Sequence, residues 1–317
     1  MKWSVCIPAL LLLFVVARQV HPQPEGLLAP AVHARVSAGP ISEMSGIVKS
    51  RRRENLYWVH NDSGDGARLF AIDGEGRSIL PTYSKFTHYG DAPEQGKQQW
   101  QGFEVLYADN VDWEDIAIDD NYLYVADVGN NGNARRDLVI YALSEIDPTA
   151  STRSAVVRKL PVVYPDQQDY PPRARHFDSE SLFTADGSLY LLTKHRKPGL
   201  TGGWEAGARL YRLDSSHTDR NNVLTLVDSH SALTAATAAD LSPDGQTLAV
   251  LSYEALWLFS RPEVGDQWLS APARYWLLDP AVFRQAEALA WADDETLLIG
   301  NEQRDLFRLP LAELPER

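Results

Sequence analysis

Three glutamates stand at the head of three similar apolar segments: Glu114 before Asp115-Ile116-Ala117, Glu180 before Ser181-Leu182-Phe183, and Glu287 before Ala288-Leu289-Ala290. Carboxylates brought to one place repel one another unless a cation, an arginine or a lysine neutralises them. Calcium suits such a group because it accepts roughly six to eight carboxylate, amide and water oxygens in loose geometry. Glu114, Glu180 and Glu287, with Asn301 from a neighbouring strand end, are therefore the candidate metal set. His60, Asp127 and His195 also fall at strand ends, where a side chain near its titration point can activate water. Lys194, His195, Arg196 and Lys197 form a compact basic run in an otherwise acidic chain. Lys194 and Arg196, joined by Tyr253, are the candidate contacts for an anionic group on a substrate. The plain alternative is a water-filled acidic channel, with the basic run as an exposed loop.

The elements that must bring these residues together are visible as a repeat. An acidic or small residue opens a short apolar strand, a turn follows, and then a second apolar strand. This happens at Ser45 with Leu56-Tyr57-Trp58-Val59, at Glu114 with Leu123-Tyr124-Val125-Ala126, and at Glu180 with Leu189-Tyr190-Leu191-Leu192. It happens again at Ala239 with Leu248-Ala249-Val250-Leu251 and at Glu287 with Leu297-Leu298-Ile299-Gly300. Asp186-Gly187 and Pro243-Asp244-Gly245 supply hairpin turn chemistry between paired strands, and a third apolar strand follows each pair. Antiparallel units of three or four strands that cannot bury both faces alone predict an all-β fold, a β-propeller of four-stranded blades around a central channel. The motif count gives five blades. A six-bladed ring would have to draw on Tyr83 to Asn110 or Ala155 to Arg175. In either ring, equivalent positions converge on the axis, placing Ser45, Glu114, Glu180, Ala239 and Glu287 in one column and His60, Asp127, Thr193, Ser252 and Asn301 in another.

The chain has 317 residues, 30 Lys and Arg against 43 Asp and Glu, and a formal charge of -13. That surface repels polyanions and excludes a nucleic-acid partner. Residues 1–17 read as an export signal, with Lys2 ahead of the apolar run Ile7 to Val16. The run is short for a membrane span, and none follows it. Residues 18–28 read as a flexible lead-in and 29–317 as a single propeller domain, periplasmic or secreted and monomeric. The only cysteine, Cys6, lies inside the signal, so disulfides and thiolate chemistry are not expected. No Gly-x-Ser-x-Gly elbow, phosphate loop, His-Glu-x-x-His or Cys-x-x-Cys occurs.

The segments Ser45-Gly46, His60-Asn61-Asp62-Ser63-Gly64-Asp65, Trp113-Glu114-Asp115-Ile116-Ala117, Asp127-Val128-Gly129-Asn130-Asn131, Asp178-Ser179-Glu180-Ser181-Leu182 and Thr193-Lys194 resemble a family of exported bacterial β-propeller proteins without an assigned activity. The chain is also distantly similar to phytase-like propellers and to gluconolactonase and lactonase propellers, and that resemblance implies calcium in the central channel. The dense acidic loops of phytases are not evident. Two functions are expected from these readings. One is a metal-assisted hydrolase of small esters, lactones or phosphate esters. The other is a non-catalytic binding module whose long loops, Thr82 to Asn110 and Asp166 to Asp178, recognise a glycan, peptide or envelope partner.

Overall fold

The computed structural model describes residues 22–37, 39–83, 86–87, 97–199 and 203–316. The predicted export signal and Cys6 lie outside them. The fold is all-β and propeller-like, and its strands group into sheets in chain order. Sheet I contains Met44–Lys49, Tyr57–Asn61, Arg68–Ile72 and Phe103–Leu106. Sheet II contains Trp113–Ile118, Leu123–Asp127, Val139–Leu143 and Arg153–Val163. Phe103–Leu106 runs parallel to Arg153–Val163, so the two sheets form one eight-strand path whose end strands pack on each other as a nearly closed barrel. Sheet III is Arg175–Ala185, Ser188–Arg196, Ala206–Leu213 and Thr225–Thr234. Sheet IV is Ala236–Leu241, Thr247–Ser252, Ala255–Ser260 and Ala273–Leu278, with Leu27–Leu28 added in parallel. Sheet V is Ala286–Asp293, Thr296–Asn301 and Asp305–Pro310, closed on its outer side by Ala34–Arg35.

Two differences from the sequence expectation concern the long connections. Within the stretches that a sixth blade would need, the described residues include the outer strand Phe103–Leu106 and most of the outer strand Arg153–Val163, while residues 84–85 and 88–96 lie outside the described residues. The lead-in is not loose throughout: Glu25 N–H donates to Tyr275 O, Leu277 N–H donates to Gly26 O, and Leu27–Leu28 pairs with Leu277–Leu278. Backbone groups next to a free sheet edge gain partners this way, and Leu28 becomes buried.

Both faces of the second strands are apolar because both are covered. Leu56 and Trp58 face a core shared with sheet II, whereas Tyr57 and Val59 face one shared with sheet V. Leu123 and Val125 face sheet I, Tyr124 and Ala126 face sheet III, and the same alternation recurs in sheet IV, where Leu248 and Val250 face sheet III while Ala249 and Leu251 face sheet V. Five apolar clusters therefore fill the gaps I–II, II–III, III–IV, IV–V and V–I among the described residues. Each fully buried Leu, Ile, Val or Phe contributes about 1.5–3 kcal/mol.

The inner strands are also tied to one another by polar bonds. Ser45 Oγ donates to Glu114 O at 2.6 Å, Thr184 Oγ1 to Ile118 O at 3.0 Å, and Thr237 Oγ1 to Ala286 O at 2.8 Å. Asp115, 1% exposed, accepts from Ile116 N at 2.8 Å, Leu182 N at 2.7 Å and Ala239 N at 3.4 Å, so one carboxyl group joins sheets II, III and IV. Asp240 similarly accepts from Trp291 N at 2.9 Å, joining IV to V. Asp115→Asn puts an NH2 group in place of one acceptor oxygen and leaves a buried backbone N–H unpaired. It should lower unfolding stability by about 1–3 kcal/mol in urea titrations, and a change under about 0.5 kcal/mol would remove Asp115 from this role.

Candidate metal centre

Each inner strand carries one extra residue near its start. The register shifts fall across Ser45, Glu114, Glu180, Thr237 and Glu287, so these five residues occupy equivalent bulges. A bulge leaves its residue outside the ladder and increases local twist, which re-aims the side chain. The fourth member is Thr237 and not Ala239, because the run Ala235-Ala236-Thr237-Ala238-Ala239 offers no marker of register and the sequence alignment slips by two. The partner column is Asn61, Asp127, Thr193, Ser252 and Asn301. His60 pairs one step further along, with Gly46.

Glu114, 4% exposed, meets Asp62 and Asp112 so that one oxygen from each lies within 4.8 Å of the others, and this group could hold a metal ion. The loops that carry the two aspartates are fixed from several sides. Asn110 Nδ2 donates to Asp62 O at 2.9 Å while its Oδ1 accepts from Trp113 N at 3.1 Å, docking one loop on the other. Asp127 accepts from Asp112 N at 3.0 Å and pairs with Arg135 Nη1 at 2.9 Å. Gly129 leaves room for the centre, since a Cβ there would collide with Glu114 Oε1 and Asp112 Oδ2. Among the described residues no donor bonds the Glu114 carboxylate. Burial, then Asp62 and Asp178, push its carboxyl well up, and burial with Asp62 and Asp178 raises Asp112 to about 6. Burial and the neighbouring carboxylates thus both work against full ionisation of the three groups.

A second group lies beside it. Lys194, 1% exposed, is ion-paired with Glu180, and its Nζ sits 4.6 Å from the Trp204 ring centre and 5.1 Å from that of Tyr253. Arg196 bonds Asp178 through Nε and stacks 4.3 Å over Trp204. Burial lowers the Lys194 ammonium, while Asp178, Glu114 and Glu287 oppose that shift. Tyr253 donates to Glu287 Oε1, and burial raises the Glu287 carboxyl to about 7. Glu180 Oε2 is buried and unpartnered.

The sequence candidates thus separate. Glu114 joins the triad, whereas Glu180 answers to Lys194 and Arg196, and Glu287 to Tyr253. Both ends of the Asn301 amide are committed, to Phe283 O and to Asp305 N. Asp127 is a clamp for the Asp112 loop. His60 is buried against Gly46 and edge-on to Trp113 at 5.6 Å, with Nδ1 near Asn61 O, and burial lowers it to about 4. His195 stacks on His176 at 3.8 Å and is lowered to about 3 by burial, His176 and Arg209. Lys194 lies in the interior and not in an exposed loop. Asp62 and Asp112 were missed because they precede or follow strands, yet a signal existed: Asp112-Trp113-Glu114 and Asp178-Ser179-Glu180 repeat an acid two places before the bulge.

No family model matches the chain, and no curated protein matches it. Among solved structures, Kuenenia stuttgartiensis hydrazine synthase is similar with a TM-score of 0.42 and 10% identity, over 84% of this chain and 83% of that one. The major Malassezia sympodialis allergen Mala s 1 is similar with a TM-score of 0.48 and 11% identity, over 87% and 94%. At this level neither carries an argument about what the chain does.

Cation binding requires these carboxyls to ionise, so affinity rises with pH through the raised value of Asp112. Calcium should bind about tenfold more weakly at pH 5.0 than at pH 7.5 by calorimetry. Without the ion, Asp112 stabilises the fold below about pH 4 and that contribution is lost as pH rises through about 6. His60 and His195 work in the other direction, with stability lost as pH falls through about 4 and about 3. The readout is therefore the calcium-induced increment in Tm, which should grow from pH 5.0 to 7.5. Asp112→Asn and Glu114→Gln should abolish it while Glu180→Gln retains it, and a pH-independent increment would count against the triad.

Proposed function

We propose that this chain is an exported five-bladed β-propeller that holds a calcium ion between Asp62, Asp112 and Glu114 and hydrolyses a small ester or lactone beside it. The single observation that carries the reading is the triad of buried Glu114 with half-buried Asp62 and Asp112, whose three oxygens come from the inner strand of one sheet and the loops of two. Closed succession of the inner strands, with an apolar core in every gap, supports five blades. The oxygen-only donor set supports calcium over softer metals. Export rests on Lys2 and the apolar run that follows it.

A bound ion would supply charge to polarise the scissile carbonyl. The water-activating base is reassigned from the histidines, which burial makes weak bases, and from Asp127, which clamps the Asp112 loop, to Glu287. Its carboxyl near 7 suits proton transfer at neutral pH, and Tyr253 fixes one of its oxygens. Water adds its oxygen to the carbonyl carbon as its proton passes to Glu287, and Glu287 returns that proton to the alkoxide oxygen as the carbon–oxygen bond breaks, releasing acid and alcohol. Trp204 and Tyr253 form an aromatic wall for the acyl part. Phosphate esters fit less well, since Lys194 and Arg196 are already paired with Glu180 and Asp178.

The same pairing favours a second reading, a calcium-dependent binding module that recognises a neutral ligand such as a glycan against Trp204 and Tyr253. Turnover of aryl esters and small lactones, measured on EDTA-stripped and calcium-loaded protein, separates the two. The hydrolase reading expects calcium to restore activity, Asp112→Asn to lower kcat/KM by a hundredfold or more, and Glu287→Gln to lower kcat while calcium still binds. Calcium binding without turnover selects the binding module, and no calcium binding sinks both.

A further inference from the structure

The inner strands have a second set of ends, opposite the acidic mouth, and a cavity of about 360 Å³ opens there. Its apolar wall is Val48, Ile118, Leu241, Pro243 and Trp291, contributed by sheets I, II, IV and V. Its charged side is Lys49, the last residue of the sheet I inner strand, and Arg51, which follows it with Ser50 between them. In a chain with 43 acidic side chains against 30 basic ones, a cation in a cavity would ordinarily meet a carboxylate. Lys49 does not. Among the described residues its ammonium donates only to Ala292 O, a backbone carbonyl that fixes the side chain across the I–V seam and leaves two N–H groups free.

The acids that share the cavity are turned to other work. Asp240 receives Leu241 N at 2.9 Å on one oxygen and Trp291 N at 2.9 Å on the other, so both oxygens are bound to the strands. Asp120 meets Arg51 at 3.0 Å on the exposed rim, where both side chains are largely in water and such a pair is worth little. Trp291 is anchored by its own ring N–H to Asp240 O at 3.0 Å, so its apolar surface is held as one wall.

From this juxtaposition of an ammonium without a carboxylate partner, a second cation and a rigid apolar wall, we propose that the opposite end of the ring binds a small amphiphilic carboxylate. Its carboxylate lies between Lys49 and Arg51 and its hydrocarbon part against Trp291. The volume sits at the small end of the range for ligand pockets, about 300–1,000 Å³, which limits the occupant to one ring or a short chain. A charge-assisted bond to Lys49 would be shielded from water by Val48 and Ile118, where it counts for more than on the surface. This site is separate from the acidic mouth and does not depend on a cation there.

The test is calorimetric titration of the full chain in EDTA with 3-phenylpropionate, its uncharged amide, and inorganic phosphate. Binding of the acid at least tenfold tighter than the amide is expected, with phosphate weaker than either arm requires for saturation. Lys49→Gln and Arg51→Gln should each weaken the acid at least fivefold and leave the amide unchanged. Arg51 is exposed, so its variant is expected to melt like the parent and keeps the test valid if Lys49→Gln does not fold. No binding of the acid, equal binding of acid and amide, or an unchanged affinity in Arg51→Gln or in a folded Lys49→Gln overturns the proposal. Phosphate binding as tight as the carboxylate would overturn the amphiphilic part by making the site a bare anion pocket.

Discussion

Strands that share one axis are limited by how many side chains can point at it, and the bulge near the start of every inner strand answers that limit. Taking one residue out of the ladder lets its neighbours keep their alternation toward the two inter-sheet cores while the extra side chain turns toward the mouth. Where the bulged residue is Ser45 or Thr237, the hydroxyl is spent on the backbone of the adjacent sheet. Where it is Glu114, Glu180 or Glu287, a carboxylate is buried with no comparable bond to backbone. The fold thus places three costly groups at one place, and the neighbours of each decide how its charge is met.

The three meet different neighbours, which gives the mouth its chemistry. Glu180 faces Lys194, Glu287 faces Tyr253, and Glu114 faces two further acids. A buried ion pair, a buried hydroxyl bond and a cluster of like charges respond differently to a cation, and only the last gains directly by taking one up. Asn110, Asp127, Arg135 and Gly129 all serve the third case by fixing the Asp62 and Asp112 loops or by leaving space between them.

Much of the architecture was legible because burial on both faces writes a distinctive pattern. Apolar pairs such as Leu123-Tyr124 and Leu189-Tyr190, bounded by turn residues, mark strands packed on two sides, and the acids at Glu114, Glu180 and Glu287 mark the bulge. Register was legible only where a polar residue flagged it, so the alanine-rich fourth copy slipped and His60 stood in for Asn61. The basic run was misread for a related reason. Charge alone suggests solvent, whereas Lys194 is the ladder partner of Asp178, and its burial follows from acids on another strand that sequence order does not place nearby. Asp62 and Asp112 escaped because loop residues carry no periodicity, and their convergence depends on an asparagine that binds both loops.

The outer strand of the last sheet comes from near the beginning of the chain: Ala34 pairs with Leu306, and Arg35 reaches Gln303 O across 268 residues. Such a clasp cannot form until the final strands exist. Before that, the seam between the first and last sheets leaves Met44, Ile47, Val59, Leu298 and Leu306 without their shared core. Chain closure over that span costs little more entropy than over half of it, because the penalty grows only with the logarithm of loop length. The larger effect is on time. Contacts this distant in sequence delay the committed step of folding, and for the whole of that delay an unclosed ring offers a sheet edge to any neighbouring copy.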